Sequence, residues 1–235
     1  MAHKQKFNGI LLVDKPIGLT SHDVVDKLRK KLSMKRIGHA GTLDPIANGL
    51  LVILLGMATK ISQLITNCDK TYAGEMCFGI TTDTHDAQGM IIAIKPVPEL
   101  VKNDVENVMH SFLGEQHQIP PMFSAKKLNG VPLYKLARKG QNVEREPRLI
   151  HIAEFALGNF ASPLAEFELS CSKGTYVRTL INDVGQVLGC GAHMTKLTRT
   201  RVGPMRLEKA TKLDHILAIE PEEIDKLILQ VTDVV

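Results

Sequence analysis

The sequence predicts an α+β fold, with a mixed, largely antiparallel central sheet flanked by helices and loops. Strand-type segments outnumber helical ones and often follow one another with no helix between them. The clearest helix, over residues 176–188, stands apart from the strand runs. No internal repeat, low-complexity tract or interdomain linker interrupts the 235 residues, and 44% hydrophobic content is enough for a sizeable core.

The elements follow in order. Residues 9–13 read as a short strand ending at the turn DKPIG. Thr20 or Ser21 can cap a helix that presents Val24, Val25, Leu28 and Leu32 on one face. The glycine-rich loop GHAGTLDPIANG, residues 38–49, comes next and carries one acid, Asp44. Pro45 disfavours helix at Asp44, so the acid is expected on an extended turn. The apolar run at 50–55 reads as a buried strand, and ATKISQLIT as a short amphipathic helix. Residues 70–79 read as a strand with Tyr72, Gly74, Met76 and Phe78 on one face. ITTDTHDAQG is a turn-rich connection into the strand MIIAI. Asn103 can cap a helix with Val105, Val108, Met109 and Phe112 inward. QIPPMFSAKKLNG reads as irregular, followed by a short basic helix at 134–139. Strands are expected at 150–157 and 165–171, and the 176–188 helix places Val177, Leu180, Ile181, Val184 and Leu188 at helical spacing before Gly189. A last helix is expected near 221–229.

Charge is distributed unevenly. The net +4 combines −4 from residue 207 onward with +8 over the preceding chain. Basic residues gather at 27–36, 124–140 and 196–201. One such cluster is usually a solvated helix face; three beside candidate site motifs suit a polyanion lying in a groove. With no Trp, three Tyr and seven Phe, an open base-stacking platform is not expected, and a pocket for one or a few bases is. Cys68, Cys77, Cys171 and Cys190 form no C-x-x-C pair, which predicts thiols in a reducing, cytoplasmic setting and no structural zinc. No apolar stretch approaches a membrane span and no signal-peptide pattern opens the chain.

Three side chains draw attention as chemistry. Asp44 is either an ordinary turn aspartate or a reactive carboxylate held by rigid backbone. Arg178 lies in the first turn of a helix, where a cation opposes the helix dipole; it either reaches solvent or pairs with a carboxylate, for which Asp44 is a candidate. Tyr72 is either a core tyrosine or a ring that stacks on a base. No H-E-x-x-H, Walker A, dinucleotide, EF-hand or G-x-S-x-G pattern is present. A metal-free, cofactor-free site built on a carboxylate is what remains.

LLVDKPIGLTS, KRIGHAGTLDPIANGLLVILLGMATK, KTYAGEMCFGITTDTHDAQG, QIPPMFSAKKLNGVPLYKLARKG and GTYVRTLINDVGQVLGCGAHMTKLTRTRVG occur in this order. Together they resemble the TruB family of tRNA pseudouridine synthases, from about residue 9 to about residue 203. The resemblance implies the pseudouridine synthase catalytic fold with an RNA-binding cleft. It also implies conversion of uridine 55 to pseudouridine in the TΨC loop of tRNA, without cofactor or metal. It implies that Asp44 is catalytic, that Tyr72 stacks on the target base and takes part in proton transfer at carbon-5, and that Arg178 pairs with the aspartate. His39 matches a residue that contacts displaced loop nucleotides, Tyr176 and Leu197 match residues lining the uridine site, and Lys15 matches a supporting lysine. The segment 118–148 matches an inserted element that closes on RNA. The expected organisation is a catalytic domain over 1–203 and a short acidic extension over 204–235 with no PUA domain. The expected partner is the T arm of tRNA, with no membrane, no obligatory protein partner and a monomeric state. A non-catalytic RNA-binding protein and a nucleoside hydrolase using Asp44 are the competing functions.

Overall fold

The computed structural model of the protein describes residues 7–128 and 130–233; the opening residues read for a signal peptide, and Asn129 of the irregular segment, lie outside them. The strands build a mixed sheet of 11 strands with helices around it, as the sequence predicts. The chain divides into two compact units: one formed by the chain up to Tyr72 and again from Leu197 onward, the other by Ala73–Lys196.

The first unit is built on the strand Ala47–Leu55, which is apolar along most of its length because both of its faces are covered. It pairs antiparallel with Gly9–Lys15, from Gly9 opposite Leu55 to Lys15 opposite Gly49. It also pairs antiparallel with Ile37–His39 and parallel with the register Leu197–Ala47, Thr198–Asn48, Arg199–Gly49. Ile10, Leu12, Leu50, Val52, Leu54 and Val202 form a buried cluster there. The outer side of Gly9–Lys15 receives two short strands, Thr211–Lys212 in parallel and Ile228–Leu229 antiparallel. The helix Ser21–Leu32 starts at a reciprocal cap. Asp23 N donates to Thr20 Oγ1 at 3.0 Å, and Thr20 N donates to Asp23 Oδ2 at 2.8 Å. Such a cap contributes about 1 kcal/mol. Val24, Val25, Leu28 and Leu32 are buried, as their spacing predicts.

The second unit centres on the hairpin Arg148–Ala161 and Leu164–Cys171, with Gly114–Gln118 added along its far strand. Phe155 and Phe167 meet edge to face at 5.9 Å across the hairpin. The helix Val177–Val187 buries Val177, Leu180, Ile181 and Val184, starts from Tyr176, and gives way to Gly189 at φ +81°. Ile80–Thr82 and Ile91–Ile94 pair as a small separate hairpin.

Some expectations shift. The helix Lys102–His110 starts from Val101, so Asn103 lies inside it; the side chain that reaches back is Asp104, whose Oδ2 accepts from Val101 N at 3.4 Å. ATKISQLIT divides into a 3₁₀ turn, Gly56–Ile61, and the helix Ser62–Asn67. The end of the irregular segment forms one strand of a short hairpin, Lys127–Leu128 with Val131–Pro132 just beyond it, before the helix Leu133–Ala137. The strand Ala192–Val202 was not expected at all. None of the four cysteines forms a disulfide among the described residues, and no described helix is long and apolar enough to cross a membrane.

Candidate active site

Five of the seven expected site residues lie in the first unit: Lys15, His39, Asp44, Tyr72 and Leu197. Asp44 sits half-buried in the loop between Ile37–His39 and Ala47–Leu55. Its own carbonyl accepts from Ala47 N at 3.0 Å, closing the turn that Pro45 begins. Next to it, Leu43 N donates to Ser21 Oγ at 2.8 Å, and Pro45 O accepts from Gly18 N at 2.8 Å. The acid is thus flanked on both sides by backbone tied to the DKPIG turn and the first helix.

Lys15 braces the same turn. Its Nζ donates to Leu19 O at 2.7 Å and Pro16 O at 3.0 Å, and the side chain is fully buried. Burial lowers its pKa to about 8, while the Asp44 carboxylate works in the opposite direction. Lys15 therefore acts as a buried cation close enough to feel Asp44.

The sequence reading missed the main brace. Arg199 belongs to the basic cluster 196–201 read as a face for a polyanion, yet it is 1% exposed. Its Nε donates to Leu50 O at 2.8 Å, Nη1 to Thr42 O at 3.3 Å and Nη2 to Gly41 O at 3.1 Å. Its guanidinium also hydrogen-bonds the Tyr72 hydroxyl. Leu197 lies two residues earlier on the same strand face, 8% exposed. Gly49 shows why this strand can lie so close: at φ +96°, a Cβ there would sit 2.5 Å from Arg199 O. The neighbours of Arg199 in that cluster behave differently, since Lys196 is exposed and pairs with Glu75 at 3.0 Å, and Arg201 is exposed. Burial, then the Arg199 guanidinium, lowers the pKa of His39.

Arg178 and Tyr176 lie in the second unit. Arg178 does not extend into solvent; it is 4% exposed. Its Nη1 donates to Thr84 O at 2.9 Å and its Nη2 to Phe123 O. Its guanidinium lies 5.8 Å from the Tyr176 ring centroid, within cation–π range. Two further residues do work that sequence reasoning did not assign. Gln118 brackets Tyr176, accepting from Tyr176 N at 2.8 Å and donating to Tyr176 O at 3.1 Å. Asp86 shapes the THD turn that offers Thr84 O, with its Oδ1 accepting from Thr84 Oγ1 at 2.7 Å and Gln88 N at 3.0 Å. His85 in that turn has its pKa lowered to about 4, by burial first and then by the Arg178 and Arg145 guanidinium groups. Between the strands at Gln118 and Arg148, the basic side chains of Lys127, Lys135, Arg138 and Lys139 are exposed.

Comparison with known proteins decides the family. The model of the TruB family pseudouridylate synthase N-terminal domain matches residues 29–177. The chain belongs to the TruB family. The model of the tRNA pseudouridylate synthase B C-terminal domain matches residues 178–235. A protein of Opitutus terrae named tRNA pseudouridine synthase B is 52% identical over 97% of this chain and 95% of its own length. One of the same name from Syntrophotalea carbinolica is 46% identical over 96% of this chain and 74% of its own. Among solved structures, a chain of a Cbf5–Nop10–Gar1 complex superposes with TM-score 0.74 at 27% identity, covering 98% of this TruB-family chain and 66% of that one.

Proposed function

We propose that this TruB-family chain isomerises uridine to pseudouridine in tRNA, at position 55 of the TΨC loop, with the T arm as the recognised element. The observation that carries the reading is the Asp44 loop: a single carboxylate clamped from both sides by backbone, in a chain 52% identical to a protein named tRNA pseudouridine synthase B.

The chemistry needs an accessible nucleoside. The glycosidic bond breaks, the uracil turns, and a carbon–carbon bond forms between C5 of the base and C1′ of the ribose. The proton leaves C5 and the freed N1 gains one, so no oxidant or co-reactant is consumed. These atoms are out of reach inside a stacked loop, so the nucleotide is flipped out at a cost of roughly a few kcal/mol. Contacts from Lys and Arg to phosphates offset that cost. Asp44 supplies the carboxylate nucleophile. Tyr72 stacks on the uracil and serves the proton transfer at C5. Arg178 provides the counter-charge to Asp44, Tyr176 and Leu197 line the uridine, His39 meets the displaced loop nucleotides, and Lys15 supports the Asp44 turn. The exposed lysines and arginines of segment 118–148 contact the RNA backbone.

Tritium release from tRNA labelled at C5 of uridine tests the reading. Stoichiometric release without liberation of free uracil is the expected result. Tight tRNA binding with no release supports an RNA-binding protein instead, and free uracil supports a hydrolase.

A further inference from the structure

We propose that Arg199 is a positioning residue for this reaction: its guanidinium locks the Tyr72 hydroxyl and the two ends of the Asp44 loop into one rigid assembly. The inference rests on the reading of Asp44 and Tyr72 as reacting groups, and no residue assignment implied by the family resemblance includes Arg199.

A guanidinium has five N–H donors fixed in a plane. Three of them are used on the carbonyls of Gly41, Thr42 and Leu50. Gly41 and Thr42 precede Asp44 and Leu50 follows it, so one side chain clips both ends of the segment that carries the acid. The Tyr72 hydroxyl is a further acceptor of the same group. Tyr72 is itself 8% exposed, on the strand Lys70–Phe78. Without the guanidinium, the acid and the phenol would be set by two separate backbone segments.

Stability alone does not call for a cation here. A buried ion is costly, and apolar residues of similar volume are often as stabilising. What an apolar side chain cannot do is bind three carbonyls and a phenol at once. Lysine cannot do it either, because its three donors radiate from a single atom on a flexible stem. The return on the buried charge is geometric. A misplacement of about 1 Å at a reacting centre can cost about a hundredfold in rate.

The test compares the wild-type protein with Arg199→Lys, Tyr72→Phe and the double variant. Arg199→Lys is expected to lower single-turnover kcat at least tenfold while the Kd for tRNA stays within about threefold. In the Tyr72→Phe background the same substitution is expected to cost clearly less, because the shared interaction is already gone. A structural role would instead give additive losses. Amide hydrogen exchange supplies a readout without substrate. In Tyr72→Phe, amides between residues 41 and 50 are expected to exchange several-fold faster, with the helix Val177–Val187 unchanged. This mild variant decides the matter if Arg199→Lys does not fold. Unchanged kcat in Arg199→Lys, additive losses, or unchanged exchange at 41–50 would overturn the proposal. A wild-type protein that makes no pseudouridine would overturn the functional reading, and the exchange result would still decide whether the clamp exists.

Discussion

Two buried arginines organise the two units, and they are held in different ways. Arg199 takes its carbonyls from one short stretch, Gly41, Thr42 and Leu50, and lies on a strand in register with the core strand Ala47–Leu55. Arg178 takes its carbonyls from two distant turns, Thr84 and Phe123, and projects from the first turn of a helix. The first is part of the sheet framework. The second is assembled from loops, one of them adjoining the exposed basic segment. The contrast teaches that the acid-bearing loop is tied directly into the core sheet, whereas the setting of Arg178 rests on carbonyls from two turns far apart in sequence.

The largest effect expected is on the acid itself. Asp44→Asn keeps the shape of the side chain and removes the carboxylate proposed as the nucleophile. Turnover should fall by at least about a thousandfold, with the Kd for tRNA near wild type by filter binding. Loss of binding instead would make the acid structural. Next comes Arg178→Met, which removes the counter-charge proposed for Asp44. A loss of about 3–5 kcal/mol in unfolding free energy or in transition-state stabilisation is expected, read by denaturant titration and single-turnover rates. An effect below 1 kcal/mol on both would mean that the loop-built setting carries no charge pair.

Glycine substitutions sharpen the comparison further. Gly49→Ala forces a positive φ on alanine and drives its Cβ into the Arg199 backbone. Gly174→Ala in the second unit has the same strain, at φ +80°, but nothing lies within 4 Å of the added carbon. The expected costs are about 3 kcal/mol or more for the first and about 1 kcal/mol for the second, measured by urea unfolding. Equal costs would mean that the close approach at Gly49 is not the constraint.

The smallest effect is on pH. Both His39 and His85 have folded-state pKa values below the ordinary histidine value, His85 at about 4. The unfolded chain therefore binds more protons than the folded one as pH falls below about 6.5. Their contribution to stability is complete above that pH and is lost progressively toward pH 4. Melting temperature should fall by a few degrees over this window, and His85→Gln should flatten the fall. An unchanged slope in that variant would contradict the burial of His85 beside Arg178.

Much of this was legible because it is local. The cap at Thr20, the apolar run through Leu55, the one-sided face of Tyr72, Met76 and Phe78, and the helix after Tyr176 all follow from periodicity and turn chemistry within a few residues. The strand Ala192–Val202 escaped because its alternation hides behind charge. Leu197, Arg199 and Val202 are buried, but an inward arginine between threonines looks like a basic tract. Gly114–Gln118 escaped because it has no apolar side chain and pairs along only one strand of the hairpin. The family motifs named Asp44, Tyr72 and Arg178. Gln118, which brackets Tyr176, and Arg199, which binds the carbonyls of Gly41, Thr42 and Leu50, are set by contacts far apart in sequence, for which a single chain carries no signal. Asp86 bonds only its near neighbours Thr84 and Gln88, and its role shows only once Thr84 O is seen to meet Arg178.

The most direct measurement is a map of pseudouridine at nucleotide resolution in an unmodified tRNA transcript incubated with the wild-type protein and with Asp44→Asn. One modified position, uridine 55, is expected, complete with the wild type and absent with the variant. No pseudouridine, pseudouridine at another position alone, or undiminished product from Asp44→Asn would contradict it.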